Sequence, residues 1–361
     1  VLPESKPQNR VAWPPLQSAI DWKPDGRVLR IVSLDAHTGG EPLRIFLSGI
    51  PEIPGSTILE RRRFASENLE HLRTALMWEP HGHADMYGCI VMPPATGDGD
   101  FGVLFTHNEG YSSMCGHGII AVVTALLETG VLDRSRIGQG FRIDTPAGRI
   151  LATAQMRGDR VQSVSFENVP SYVVELDAMI AVTGLGEVQY DLAFGGAYYA
   201  CVRGDQFDPR IHCLPEESER LIRLGRQIKQ AVIQSREIAH PTEPDLGFLY
   251  GTIFTAPAVD ASNHSRNCCV FADGEVDRSP TGTGVSGRAA IHFARGELKI
   301  GETIRIESIL GSLFDVTVNR ETSLGPHPAI VPVVTGQAFI TGRHEFLIDP
   351  DDPLRKGFLL R

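Results

Sequence analysis

From Val28 the alternation of apolar and polar positions reads VLRIVSLDAHTGGEPLRIFLSG. Two short apolar runs flank a glycine pair, which predicts two strands joined by a tight turn. Residues 59–77, LERRRFASENLEHLRTALM, carry Phe64, Leu69, Leu72 and Leu76 at helical spacing and predict one helix. GCIVMP and GVLFTH predict strands. A second long helix is expected over 216–238, where Leu221, Leu224, Ile228 and Val232 share a face. Most of the remainder is short β-runs between Gly, Pro and Asp. This mixture predicts α+β lobes, because the regular βαβ spacing of a Rossmann sheet is absent. Residues 1–27 hold five prolines and little periodicity, and are expected to form an extended arm on the surface.

One pattern recurs. At an offset of 166 residues, LFTHNEGYSSMCGHG lies over VFADGEVDRSPTGTG. Phe105 matches Phe271, Glu109 matches Glu275, and Ser113 matches Ser279. Gly116, Gly118 and Gly130 match Gly282, Gly284 and Gly296. Upstream, DAHTGG at 35–40 is echoed by DLAFGG at 191–196. The same two motifs in the same order point to two related halves.

In both copies the loop precedes an apolar run that fits a helix ending at glycine, GIIAVVTALLETG and GVSGRAAIHFARG. Cys115 and Thr281 then stand at or just before two helix N-termini. Free backbone N–H groups and helix dipoles converging there suit a carboxylate. The dipole also favours a thiolate, and Gly116 and Gly282 let a ligand approach the backbone closely. From the residues alone, Cys115 reads either as a reactive thiol or as an inert buried cysteine in a helix-initiating turn. A Cys–His hydrolase stays open, with Cys115 and a distant histidine. SPTGTG as a phosphate loop lacks the lysine such a loop requires. His81, His83 and Asp85 of HGHAD alternate; on a strand they would share a face, as metal ligands do, against a structural or pocket-wall role. Cys268 and Cys269 are expected in a strand, pointing to opposite faces.

Composition narrows the partners. The net charge is −10 and the pI about 5.7, which disfavours nucleic acid and anionic membrane surfaces. No apolar run approaches the roughly 18 residues of a membrane span, and the first residues lack the apolar core of a signal peptide. Six cysteines without a CxxC pair fit a reduced, cytoplasmic chain.

MCGHG, DRSPTGTG, DAHTGGEPLRI and HGHADMYG together resemble the proline racemase family, over a stretch from about Val28 to the closing DPDDPLRKGFLL. The resemblance implies a diaminopimelate-epimerase-like fold: two pseudo-symmetric lobes, each a curled β-sheet around a central helix, with the site in the cleft between them. The first lobe is expected over 28–185 plus 338–361, the second over 186–337. Proline racemases and hydroxyproline epimerases use two cysteines, one on each face of the α-carbon. Here Thr281 stands where the second cysteine would be. The same Cys/Thr pairing is what the trans-3-hydroxy-L-proline dehydratases show, and the chain resembles those. The implied roles are Cys115 as base, Thr281 on the opposite face, and Asp277 as acceptor for the ring ammonium. Gly116, His117, Gly282 and Thr283 match substrate-binding positions. Read without the resemblance, Asp277 is also a turn or cap residue, and His117 a helix-start histidine bonded to backbone.

The resemblance implies no metal and no organic cofactor. The expected partner is a small imino acid from amino-acid degradation; a second copy of the chain, as in a homodimer, is the one macromolecular partner entertained. The implied reaction is loss of water from trans-3-hydroxy-L-proline to give Δ1-pyrroline-2-carboxylate. For the leaving oxygen, Cys115 could return the proton it has taken, with His83 or another nearby group as the rival acid. A proline racemase or 4-hydroxyproline epimerase is the alternative, and a non-catalytic amino-acid-binding protein a second one.

Overall fold

The computed structural model describes residues 16–360. Residues 1–15 of the expected arm lie outside the described residues. The part that is described forms one exposed helical turn, α1 (Gln17–Ile20), and so is not extended throughout.

The first apolar runs form an antiparallel hairpin, β1 (Leu29–Thr38) and β2 (Glu41–Ser48), with Thr38 opposite Glu41. Its two-residue turn is Gly39 and Gly40, at φ 61° and 97°. A tight hairpin turn with positive φ at both centres favours this pair.

The helix expected over 59–77 is broken in two. These are α2 (Ile58–Asn68) and α3 (Glu70–Met77), interrupted at Leu69, where φ is −114° and ψ 13°. Thr57 opens α2 by accepting from the Glu60 N–H at 3.1 Å, and the Glu60 carboxylate accepts from the Thr57 N–H at 3.4 Å. At the other end the Asn68 amide donates to the Phe64 carbonyl at 2.9 Å. A short polar side chain bonded back to the helix competes with its continuation. The break lets α2 bury Ile58 and Ala65 while α3 buries Leu72, Leu76 and Met77.

The predicted strands follow as β3 (Tyr87–Met92) and β4 (Phe101–His107). Then come α4 (Gly116–Glu128), β5 (Phe141–Thr145), β6 (Gly148–Arg157), β7 (Arg160–Glu167) and β8 (Ser171–Val182). The second half runs β9 (Gly186–Phe194), β10 (Tyr198–Arg203), α5 (Ser218–Ser235), β11 (Leu249–Ala256), β12 (Ser265–Phe271) and β13 (Glu275–Val276). It closes with α6 (Gly282–Ala294), β14 (Thr303–Glu307), β15 (Leu313–Leu324), β16 (His327–Gly336) and β17 (Ala338–Ile348). The long helix α5 buries the expected face, Leu221, Leu224, Ile228 and Val232.

Strand pairing repeats the duplication. β1–β2 is antiparallel, β2–β3 parallel, β3–β4 antiparallel, β4–β5 parallel and β5–β6–β7 antiparallel. The same sequence of senses runs through β9–β10, β10–β11, β11–β12, β12–β14 and β14–β15–β16. Each half then sends its last strand across: β17 pairs with β1, and β8 pairs with β9. Return of the chain from residue 338 is one of these two crossings. Its counterpart, β8, packs on α6.

α4 and α6 are the central helices of the two halves. Every residue from Gly116 to Leu127 is buried, and every residue from Gly282 to Ile291. A helix that is apolar all round has no solvent face and belongs in a core. α4 packs on β1, β7 and β17, and α6 on β8, β9, β15 and β16. Large apolar side chains such as Ile119, Ile120 and Leu127, 0% exposed, each contribute roughly 1.5–3 kcal/mol relative to exposure. With both axes fixed this way, the two helices meet at their first residues.

Candidate active site

The meeting point is made by glycine. A Cβ added to Gly116 would lie 2.5 Å from the Gly282 Cα, and one added to Gly282 would lie 2.6 Å from the Gly116 Cα. Only glycine lets two helix N-termini approach so closely. The first N–H groups of both helices have no partner within their own helix, and those of Gly116, His117, Gly282 and Thr283 gather around one cavity. Two dipole ends and four donors make a receptor for a carboxylate.

Cys115 is the N-cap of α4, with extended backbone at φ −145° and ψ 109°, and its Sγ accepts from the Gly118 N–H at 3.3 Å. Thr281 holds the matching place before α6, at φ 66° and ψ 94°. That is an outlier for a β-branched residue and costs on the order of 1–3 kcal/mol. Neighbours impose it. The Thr281 N–H donates to Ser279 Oγ at 3.1 Å, and Asn267 Nδ2 donates to the Pro280 carbonyl at 2.6 Å. Thr281 Oγ1 is buried without a hydrogen bond of sound geometry. Its polar neighbour is the Cys269 thiol, whose pKa burial pushes well up and the Thr281 hydroxyl draws partly back. Cys115 and Thr281 thus line one cavity, one from each half.

His117 is built into the Cys115 side. Its Nδ1 lies 3.1 Å from the Cys115 Sγ, and its Nε2 lies 3.3 Å from the Pro42 carbonyl oxygen. A carbonyl can only accept, so Nε2 carries the hydrogen and Nδ1 presents its lone pair to the thiol. Burial holds the imidazole below its usual pKa, against the opposing pull of Asp277. Burial likewise pushes the Cys115 thiol well above its usual range, with the Gly118 N–H opposing and Asp277 adding to the rise. Both shifts favour the neutral forms of the pair, with the acceptor nitrogen already in place. The Thr38 hydroxyl donates to the His117 carbonyl at 2.8 Å, so the end of β1 fixes the first turn of α4.

Asp277 is buried on the cavity wall, and its Oδ1 accepts from the Ser279 N–H at 2.7 Å. It is at once a turn residue and a carboxylate facing the cleft. Around it stands an aromatic wall: Tyr87, Tyr199, Tyr250 and Phe271, with Met114. The Tyr199 hydroxyl shares a hydrogen bond with Thr283 Oγ1 at 2.6 Å. The Tyr87 hydroxyl donates to Ser112 Oγ at 2.7 Å and lies 3.2 Å from the Tyr250 hydroxyl. Aromatic faces attract a cation, and the enclosed carboxylate of Asp277 gives it an anionic partner.

The structure therefore brings Cys115, Gly116, His117, Asp277, Thr281, Gly282 and Thr283 to one cavity. It does not bring HGHAD there as a ligand set. Residues 81–85 form no strand, so their side chains do not share a face. His81 Nδ1 contacts the Ala75 carbonyl at 3.0 Å, the exposed His83 contacts the Ala84 carbonyl at 2.6 Å, and Asp85 pairs with Arg278 at 2.8 Å. His83 is thereby removed as the rival acid. Among the described residues no group of three His, Cys, Asp or Glu side chains is placed to hold a metal ion. Cys268 and Cys269 are free, buried thiols on β12. No helix of the described residues is long and apolar enough to cross a membrane.

The three tyrosines of the aromatic wall are what the sequence reading missed. Tyr87 stands within the HADMYG stretch, Tyr199 follows the second glycine pair, and Tyr250 is the second residue of β11. No spacing connects them. Only the tyrosine of HADMYG, two residues past Asp85, stood within a stretch already singled out.

Residues 33–359 match the family model described as proline racemase. A protein of Colwellia psychrerythraea (strain 34H) described as trans-3-hydroxy-L-proline dehydratase is 48% identical over 333 residues, 92% of this chain and 93% of the relative. A Burkholderia multivorans protein described as 3-hydroxyproline 2-epimerase is 44% identical over 329 residues, covering 91% and 98%. Among solved structures, a hydroxyproline epimerase from Agrobacterium vitis with bound trans-4-hydroxy-L-proline superposes with a TM-score of 0.86. It is 32% identical and covers 92% of this chain and 96% of its own.

Proposed function

The chain belongs to the proline racemase family, and on that premise we propose that it dehydrates trans-3-hydroxy-L-proline to Δ1-pyrroline-2-carboxylate and water. One observation carries the reading. The cavity wall holds a single thiol, Cys115, and faces it with Thr281. A two-faced α-carbon is thus offered a base on one side and no acid of comparable strength on the other.

The substrate carboxylate sits over the N–H groups of Gly116, His117, Gly282 and Thr283. Its ring ammonium faces Asp277 and the aromatic wall. His117 Nδ1 receives the Cys115 proton as the zwitterion enters, which leaves a thiolate beneath Cα. The thiolate removes the α-proton, and the developing charge spreads into a carboxylate already held by two helix ends. The C3–O bond breaks, its pair leaves with oxygen, and the enamine tautomerises to the imine. In the trans isomer the hydroxyl lies on the face of the α-hydrogen, so both groups depart on the Cys115 side. The elimination is redox-neutral, and the α-proton balances the departing hydroxide.

The second reading is epimerisation, favoured by the relative described as a 3-hydroxyproline 2-epimerase. It requires a proton from the Thr281 side, and a threonine hydroxyl is too weak an acid to supply one at a useful rate. Trapping the imine with o-aminobenzaldehyde tests the proposal. Wild type is expected to give the coloured adduct from trans-3-hydroxy-L-proline, and Cys115→Ser to lose most of it. A wild type that consumes the substrate without adduct contradicts the dehydratase reading.

A further inference from the structure

Elimination on the Cys115 face needs a donor for the departing oxygen; Cys115 itself is the first expected candidate, and its rival, His83, is exposed and contacts the Ala84 carbonyl. The cavity offers few others. His117, having taken the Cys115 proton, directs Nδ1 at Cys115 and Nε2 at the Pro42 carbonyl. Tyr199 is tied to Thr283, on the side of the second helix. Tyr87 remains. It stands on β3, in the half that carries Cys115, and its ring meets the His117 ring edge-on at 4.8 Å. It lines the same cavity as the Cys115 thiol.

Building on the dehydratase reading, we infer that Tyr87 is a catalytic residue for the elimination, passing to the C3 oxygen the proton that Cys115 takes from Cα. The hydrogen-bond chain is suited to it. Tyr250, Tyr87 and Ser112 are hydroxyls in line, at 3.2 and 2.7 Å, and each both donates and accepts. Without ligand Tyr87 donates to Ser112; once the Ser112 hydroxyl turns to donate instead, with Tyr250 donating too, the Tyr87 hydrogen is released toward the ligand. The C3–O bond then breaks as the Tyr87 proton moves to the departing oxygen, giving water. The Cys115 thiol, loaded with the α-proton, returns a proton to the Tyr87 oxygen, which restores the Tyr87 hydroxyl and the Cys115 thiolate; the proton held by His117 goes back to Cys115 as the product leaves. Tyr87 is a weak acid, pushed well above its usual pKa by burial and then by Cys115. The acceptor is the oxygen of the breaking C3–O bond, which becomes a strong base as it departs with the bond's electron pair.

The test separates proton abstraction from loss of water. L-Proline has no hydroxyl to lose, so wild type in deuterated water is expected to exchange its α-hydrogen with retention, read by NMR. Trans-3-hydroxy-L-proline is expected to give imine. In Tyr87→Phe the ratio of imine formation to proline exchange should fall at least about tenfold. Equal losses in both reactions would reduce Tyr87 to a support for Cys115, and unchanged rates in both would remove it from the reaction. Binding of pyrrole-2-carboxylate checks that the cleft of the variant is intact. Should Tyr87→Phe fail to fold, Ser112→Ala, which removes one donor to Tyr87, should lower the same ratio, and an unchanged ratio there overturns the relay. Absence of imine from wild type itself would strike the dehydratase reading, which this arrangement distinguishes from failure at Tyr87.

Discussion

Gly116 and Gly282 touch across the pseudo-twofold axis: a Cβ on either would lie 2.5–2.6 Å from the other's Cα. This contact sets the distance between the two helix N-termini, and with it the site for a carboxylate. Both neighbours at the contact are backbone, so a methyl group can be admitted only by moving a helix. Gly282→Ala should cost about 1–3 kcal/mol of stability as an overpacked contact. It should lower kcat about a hundredfold through misplacement of the reacting carbon. Thermal unfolding and imine kinetics check both, and a variant with full turnover would show that the carboxylate is not held at this junction.

Cys115 should behave as a thiol kept neutral by burial. Its pKa lies above the ordinary range, so below that range almost no thiolate is present, and the thiolate fraction grows as pH rises. Carbamidomethylation of the free enzyme by iodoacetamide should therefore be slow at pH 7. It should accelerate with each step toward pH 9.5 without levelling near the usual thiol pKa of about 8.5. Pyrrole-2-carboxylate, planar like the deprotonated α-carbon, should protect it. A rate that levels off below pH 8 would mean that His117 already holds the proton in the unliganded enzyme. The labelled residue is identified by peptide mapping.

Asp277→Asn removes the anionic partner of the ring ammonium and keeps its shape. A charge-assisted hydrogen bond is worth about 1.5–3 kcal/mol, so KM should rise about ten- to a hundredfold. The Ser279 N–H that Asp277 caps, at 2.7 Å, can still bond to the asparagine oxygen. Steady-state kinetics with unchanged KM would assign Asp277 to the turn alone.

Thr281→Cys re-arms the second face. The helix N-terminus and its glycine remain, and the exchange of a methyl and an oxygen for a sulfur alters volume little. The variant should invert the α-carbon of L-proline, seen as deuterated D-proline by chiral chromatography after incubation in deuterated water, where wild type shows none. The strained φ of 66° at this position also suits a smaller side chain. A folded variant that binds pyrrole-2-carboxylate and never inverts proline would place Thr281 away from the second face.

What the sequence disclosed followed from local signals. The glycine-flanked starts of α4 and α6 are local, and so is their recurrence, which placed Cys115 and Thr281 on one cavity. The apolar face of α5 is local as well. What stayed hidden depends on distant contacts. β8 crosses to β9 because two halves share one sheet, and nothing within 171–182 records its partner. The break at Leu69 divides a continuous apolar period, since α2 and α3 bury different faces. HGHAD alternates like a strand but is pinned by the Ala75 and Ala84 carbonyls and by Arg278. Tyr87, Tyr199 and Tyr250 converge from three strands, at separations that no motif encodes.

The central claim is that one thiol, unanswered across the cleft, produces elimination and not inversion. Incubating wild-type protein with trans-3-hydroxy-L-proline in deuterated water, and following it by NMR, measures both outcomes at once. The account predicts accumulation of Δ1-pyrroline-2-carboxylate and recovery of the remaining substrate with its L configuration. Appearance of the D-configured epimer, deuterated at Cα and without imine, would contradict it.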